Sequence, residues 1–215
     1  MPFLFVILLS LLSLCNIAWA SDWQLSKTDN KRQIQVYTRS QESSPYDEFY
    51  AKTVVAQPID TVVAVLSDVS AWPQWLARLK LVKVLEKKPN QFWLYSVYKL
   101  PYPFVERDAI LHTLLMREPK TGVVRVEVEA LANYTLSLPI EVKRVRMTNL
   151  QSTWRLTPLA KGGTLIELSG RGEPEGLMPA LIFNYNLADE PQQTLRLLRQ
   201  MLLRPQYQTG LKKPS

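Results

Sequence analysis

The stretch "GLMPALIFNYNLADEPQQTLRLLRQMLL", Gly176 to Leu203, constrains this chain more than any other. It has helical periodicity, and it follows a long run of segments with strand periodicity. A meander of strands with one apolar face must bury that face. This is the only segment long enough to cover it. Pro191 requires a kink or a restart within the helix, with Asp189 as N-cap of the restart. Beyond the restart, Thr194, Leu198, Met201 and Leu202 share one face.

The segments ahead of it alternate between two periods. "RQIQVYTR" (32–39) and "EFYAKTVV" (48–55) read as strands. In "PIDTVVAVLSD" the period changes: Ile59, Val62, Val63 and Leu66 form one helix face, with Pro58 tolerated in the first turn. "SAWPQWLARL" is expected as a second short helix. A run of strands then follows: "LVKVLEKK", "QFWLYSVYKL", "RDAILHTLLMRE", "VVRVEVEAL", "RVRMTNLQSTWRLTPL" and "GTLIELSGRG". In "VVRVEVEAL", Val124, Val126 and Val128 take one face and Arg125, Glu127 and Glu129 the other. In "RVRMTNLQSTWRLTPL" the apolar row changes parity between Met147 and Leu150, which predicts a bulge or bend. The expected fold is α+β: a curved antiparallel sheet wrapped around a long C-terminal helix, with two short helices between the early strands. A space left between sheet and helix would be a ligand cavity of roughly 300–1,000 Å³.

The first twenty residues carry no charged side chain. The apolar run Phe3–Leu14 is short for a membrane span, which needs ~20 residues. Ala18-Trp19-Ala20 has the small-x-small pattern of a signal peptidase site. The reading is a signal peptide over 1–20, a mature chain 21–215 that is one domain, and a periplasmic or secreted protein. The alternative is retention as an N-terminal membrane anchor. The one cysteine, Cys15, would leave with the signal, so the mature chain has no thiolate or disulfide. One histidine and no mature cysteine argue against a metal site, and no cofactor motif is present. The formal charge is +7, densest at "KRVR" (143–146). That suits transient contact with an anionic membrane surface or an ordinary solvated face. Nucleic acid is not expected, because basic and aromatic residues do not interleave in a recognisable module. A monomer is expected.

Four passages, taken in order, resemble the START family of lipid-binding domains, which share the helix-grip fold. "VLSDVSAWPQWL" resembles its helix-to-helix passage. "VLEKKPNQFWLYSVYKLPYPFVERD" resembles its two strands and the Pro-x-Pro…Arg-Asp signature at Pro101, Pro103, Arg107 and Asp108. "STWRLTPLAKGGTLIEL" resembles its Trp-x-Leu-x-Pro strand and hairpin. "EGLMPALIFNYNLADEPQQTLRLLR" resembles its C-terminal lid helix. The resemblance implies one lipid or other hydrophobic molecule held beneath that helix, in a possible periplasmic carrier. The broader superfamily also uses the cavity for cyclase- or hydrolase-type enzymes, so fold alone gives no chemistry.

Candidate cavity residues follow from this expectation. In "QFWLYSVY" either row is apolar enough to face inward, so Trp93, Tyr95 and Tyr98 are all candidates. Tyr102 sits in the proline elbow and could cap the rim. Arg107 and Asp108 point to opposite faces. Arg107 either anchors the loop through backbone hydrogen bonds or an ion pair, or meets a polar head group. His112 is the only histidine, a core or cavity-lining residue or, in the enzyme reading, a base. Phe183 and Asn184 lie on the lid helix, Asn184 to bond a ligand or tie the lid down. "NYTLSLP" (133–139) is either a gate or a surface loop. No catalytic motif is present, so non-covalent binding is favoured.

Overall fold

The computed structural model describes residues 22–134 and 143–208. The proposed signal peptide and most of the candidate gate at 133–139 lie outside the described residues.

The chain opens with β1 (Gln24–Asp29), β2 (Ile34–Gln41) and β3 (Ser44–Val55). Next come α1 (Ile59–Ser67) and a 3-10 turn at Val69–Gln74. The meander is β4 (Leu79–Lys88), β5 (Gln91–Tyr98), β6 (Arg107–Arg117), β7 (Val124–Ala130), β8 (Val145–Arg146), β9 (Leu150–Pro158) and β10 (Thr164–Gly172). The closing helices are α2 (Ala180–Asn186) and α3 (Asp189–Met201). The sheet order is β1-β2-β3-β10-β9-β7-β6-β5-β4, with β8 parallel to β6 where β7 leaves it. The fold is thus α+β, a curved antiparallel sheet closed by C-terminal helices.

Cross-strand register fixes one inner face. Leu156 pairs with Ile166 and Val124, and Trp154 pairs with Leu168 and Val126. Leu111 and Leu94 continue the row across β6 and β5. These residues form the main core with Val62, Val65, Leu195 and Leu198 from the helices. α3 packs against β1–β3 and α1 against β9. The β9–β10 hairpin needs Gly163: its φ is +86°, and a Cβ there would stand 2.5 Å from the Val55 carbonyl oxygen.

Three expectations are adjusted. β1 adds a strand ahead of 32–39. The second short helix is a 3-10 turn ending at Gln74, where Pro73 offers no N–H to continue an α-helical ladder. The C-terminal helix does restart, at Asp189, two residues earlier than Pro191. Pro191 is the third residue of α3, where a missing N–H costs nothing. Asp189 is inside the helix and pairs with Lys27 rather than capping. The predicted bend between Met147 and Leu150 is the gap between β8 and β9.

Candidate functional site

A recess of about 440 Å³ opens between the start of β4 and the first turns of α3. Its floor includes Leu76, Leu79 and Leu197; its rim includes Arg78, Lys99 and Glu190. Local backbone chemistry builds it. The chain leaves the 3-10 turn and reverses through Arg78, whose φ is 65°. The Arg78 carbonyl accepts from Lys99 N at 2.8 Å, locking the start of β4 to the end of β5. Ala77 N donates to the buried Thr194 Oγ1 at 3.0 Å, which fixes α3 over the same turn.

Two charges face each other across the recess: Arg78 Nε lies 3.8 Å from Glu190 Oε2. Nearly half of the Glu190 side chain, 47%, remains accessible. Burial among protein atoms nonetheless raises its pKa, partly offset by Arg78. A carboxylate that is crowded by protein yet reachable sits in a concavity. Tyr98, opposite Leu79 in the β4–β5 ladder, is close enough that burial and then the Glu190 charge both raise its phenol pKa. An apolar floor with a mixed-charge rim suits an amphiphile.

The eight sequence candidates do not converge here. β5 is decided by register: Phe92, Leu94 and Tyr98 join the main core, so their row faces inward. Tyr95 belongs to a separate cluster with Val97 and Ile110, on the opposite face. Trp93 and His112 share that face; their ring centroids are 4.7 Å apart, and the His112 nitrogens meet Glu129 and Gln91 at 3.3 and 3.1 Å. Trp93, Tyr95 and His112 therefore point away from the space between sheet and helices. This corrects their reading as cavity residues; alternation along β5 and β6 is the physical reason.

Arg107 is on the inner side and only 2% exposed. It donates to three backbone carbonyls, Pro174 at 2.6 Å, Val105 at 2.7 Å and Glu175 at 3.0 Å. Its head is engaged in tying the elbow loop to the segment before α2. His112 and Arg107 lie on opposite faces and cannot act on one substrate atom. Asp108 receives two bonds from Arg146, at 2.6 and 3.0 Å, and one from Tyr95 Oη at 2.9 Å. Burial alone would raise the Asp108 carboxyl, but these donors outweigh it and hold it below the usual range. Tyr102 stands fully in solvent next to a cis peptide bond to Pro103. Phe183 packs edge-on against Tyr46 at 5.2 Å. Asn184 accepts from Asp47 N at 2.9 Å and donates to the Pro45 carbonyl at 3.1 Å, tying α2 to β3.

Of the eight, Tyr98 alone adjoins the recess. Arg78, Lys99 and Glu190 were not singled out in the sequence. The available signal was the acidic pair Asp189-Glu190 at a helix start, which an ordinary helix dipole explains equally well.

Comparison with known proteins agrees with the architecture. The family described as "Polyketide cyclase / dehydrase and lipid transport" matches residues 47–202. An uncharacterised protein of Pseudomonas aeruginosa is 28% identical over 182 residues, covering 85% of this chain and 87% of its own. A solved structure of a STAR-related lipid transfer protein from Xanthomonas axonopodis superposes with a TM-score of 0.76 at 29% identity, over 85% of this chain and 99% of that one. Human STARD10 superposes with a TM-score of 0.74 at 14% identity, over 88% of this chain and 76% of its own, a likeness of fold.

Proposed function

Because this chain belongs to the polyketide cyclase/dehydrase and lipid transport family, within its START-like branch, we propose that it holds one hydrophobic molecule under α3 and carries it without covalent chemistry. The polar end of that molecule lies at Arg78 and Glu190, and its apolar part lies over Leu76, Leu79 and Leu197. The observation that carries this reading is the recess itself: an apolar floor, a charged rim, and a volume of about 440 Å³. That volume is within the usual range for small-molecule sites, roughly 300–1,000 Å³, and suits a single-chain amphiphile better than a whole two-chain lipid. The name of the Xanthomonas relative, a lipid transfer protein, supports the same class of ligand.

The carrier works in the periplasm after loss of residues 1–20, and it touches anionic membrane while loading or delivering. Native mass spectrometry of the protein purified from that compartment tests the reading. A mass beginning at Ser21 with a stoichiometric, extractable lipid is the expected result. A clean apo mass that persists after incubation with total membrane lipid would overturn it and favour an enzyme on a soluble substrate. Arg78→Ala and Glu190→Gln should each lower occupancy, whereas Trp93→Ala, on the other face of the sheet, should leave it unchanged.

A further inference from the structure

The outer face of the sheet, turned away from α3, carries a second and smaller recess of about 180 Å³. Strand alternation builds it. Val126, Trp154 and Leu168 face the core, so their neighbours Arg125, Thr153, Arg155, Glu167 and Ser169 stand on the outer side. Register sets the outer residues in two adjacent rows. One runs Lys52, Glu167, Arg155, Arg125 across β3, β10, β9 and β7. The other runs Tyr50, Ser169, Thr153, Glu127 across the same strands. Ser169 and Thr153 are short and sit among long side chains, so the face dips there.

The dip gathers cations that lack close partners. Arg125 and Arg155 are directly opposed in the β7–β9 ladder, an arrangement that costs stability between like charges. Arg125 Nη1 is 3.9 Å from Glu127 and Arg155 Nη1 is 3.7 Å from Glu167, both too long for hydrogen bonds. Other cations of this face are engaged. Arg39 bonds Glu48 at 2.5 Å and covers the Trp23 ring, Arg171 bonds Gln151 at 2.8 and 3.0 Å, and Lys52 lies over the Tyr37 ring. Glu167 lines the recess but is drawn aside, because Tyr50 Oη donates to its Oε1 at 2.7 Å. Burial, and then the bond to Glu167, raise the Tyr50 pKa, so this hydroxyl stays a donor.

An anion between the two guanidiniums relieves their repulsion. Each guanidinium offers a planar fork of donors, and Thr153 and Ser169 each offer a hydroxyl. A carboxylate would fill one fork. A phosphate monoester has three free oxygens and a charge of about −1.5 to −2 near neutral pH, so it can meet both forks and the hydroxyls at once. We propose that Arg125, Arg155, Thr153 and Ser169 form a binding site for a phosphate monoester group, on the face of the sheet opposite the α3 recess. Glu167 opposes the anion and holds its affinity down. Two sources present such a group, a soluble ester and a lipid headgroup. The site stands apart from the ligand reading above, since no residue lines both recesses.

Isothermal titration of the purified protein with glycerol 3-phosphate, and separately with vesicles containing phosphatidic acid, tests the site. Saturable binding of at least one probe is expected. Arg125→Met and Arg155→Met should each weaken it ~10-fold or more, and the two together should abolish it. Arg171→Met, on the same face but already bonded to Gln151, should leave it unchanged. Glu167→Gln keeps an acceptor for Tyr50 and should tighten binding ~3-fold; misfolding cannot produce such a gain. Binding of glycerol 3-phosphate assigns a soluble ester. Binding of the vesicles alone, lost in the double arginine variant, assigns a lipid headgroup. The site is overturned if neither probe binds, or if binding persists in the double variant. It is also overturned if Arg171→Met weakens binding as much as Arg155→Met does, or if acetate displaces the probe as well as inorganic phosphate does.

Discussion

Arg107 and Asp108 are neighbours in sequence, and each is 2% exposed, yet they sit in unlike surroundings. Arg107 faces inward and is satisfied by backbone carbonyls from two loops. Asp108 faces outward and is satisfied by a guanidinium and a phenol. A buried charge is costly unless hydrogen-bonded, and the two residues meet that cost with different materials. Carbonyls cannot leave their chain, so Arg107 fixes the path of loops 99–106 and 173–176. Side-chain partners fix elements, so Asp108 fixes β8 beside β6. The Arg-Asp pair is thus a two-sided clamp.

The largest effect expected from breaking this clamp is on the inner side. Arg107→Met leaves three carbonyls without a donor and should cost ~3 kcal/mol in chemical denaturation, with new proteolytic cuts near Val105 and Glu175. Asp108→Asn keeps an acceptor for Tyr95 but leaves Arg146 without its countercharge. About 2 kcal/mol is expected there, because Arg146 is partly exposed. A double-mutant cycle sharpens the contrast: Asp108→Asn with Arg146→Met should show coupling, and Arg107→Met with Arg146→Met should add independently.

Acid should also separate the two sides. The folded pKa of Asp108 lies below its unfolded value of ~3.9, so its contribution is complete above that pH and is lost as pH falls through the folded value. Acid unfolding curves of wild type and Asp108→Asn should therefore converge below about pH 4. Parallel curves would remove the carboxylate from the account. Tyr95→Phe comes next, at ~1 kcal/mol.

The smallest effect has the opposite sign. The folded pKa of Glu190 is raised, so its charge opposes folding above the unfolded pKa, and the opposition is complete only above the folded pKa. Glu190→Gln should stabilise the fold slightly at pH 7, by less than ~1 kcal/mol because the group is half accessible, and so raise the Tm. A lowered Tm would mean that the Arg78 pair outweighs the burial cost.

Legibility in the sequence followed local contrast. β7 declared its inner face because charged residues separate Val124, Val126 and Val128. β5 did not, because Phe92, Leu94 and Tyr98 alternate with Trp93, Tyr95 and Val97, and only pairing with distant strands decides which row meets the helices. β1 was missed because "QLSKTD" buries a single residue, Asp29, and so lacks apolar alternation. The family resemblance rested on prolines, tryptophans and the Arg-Asp pair, which mark turns and clamps. The recess is formed by residues more than a hundred positions apart, Arg78 and Glu190. Each reads alone as an ordinary surface charge.

The seam at Leu187 and Ala188 divides the closing segment into unequal halves. α3 sinks five side chains into the protein, whereas α2 sinks none. Local opening costs scale with the contacts that must be broken. α2 should therefore open at a lower free energy than α3, as faster amide hydrogen exchange in 180–186 than in 189–201 would report. The last long segment of this chain thus runs on two clocks, and the slower one belongs to the half that lines the recess.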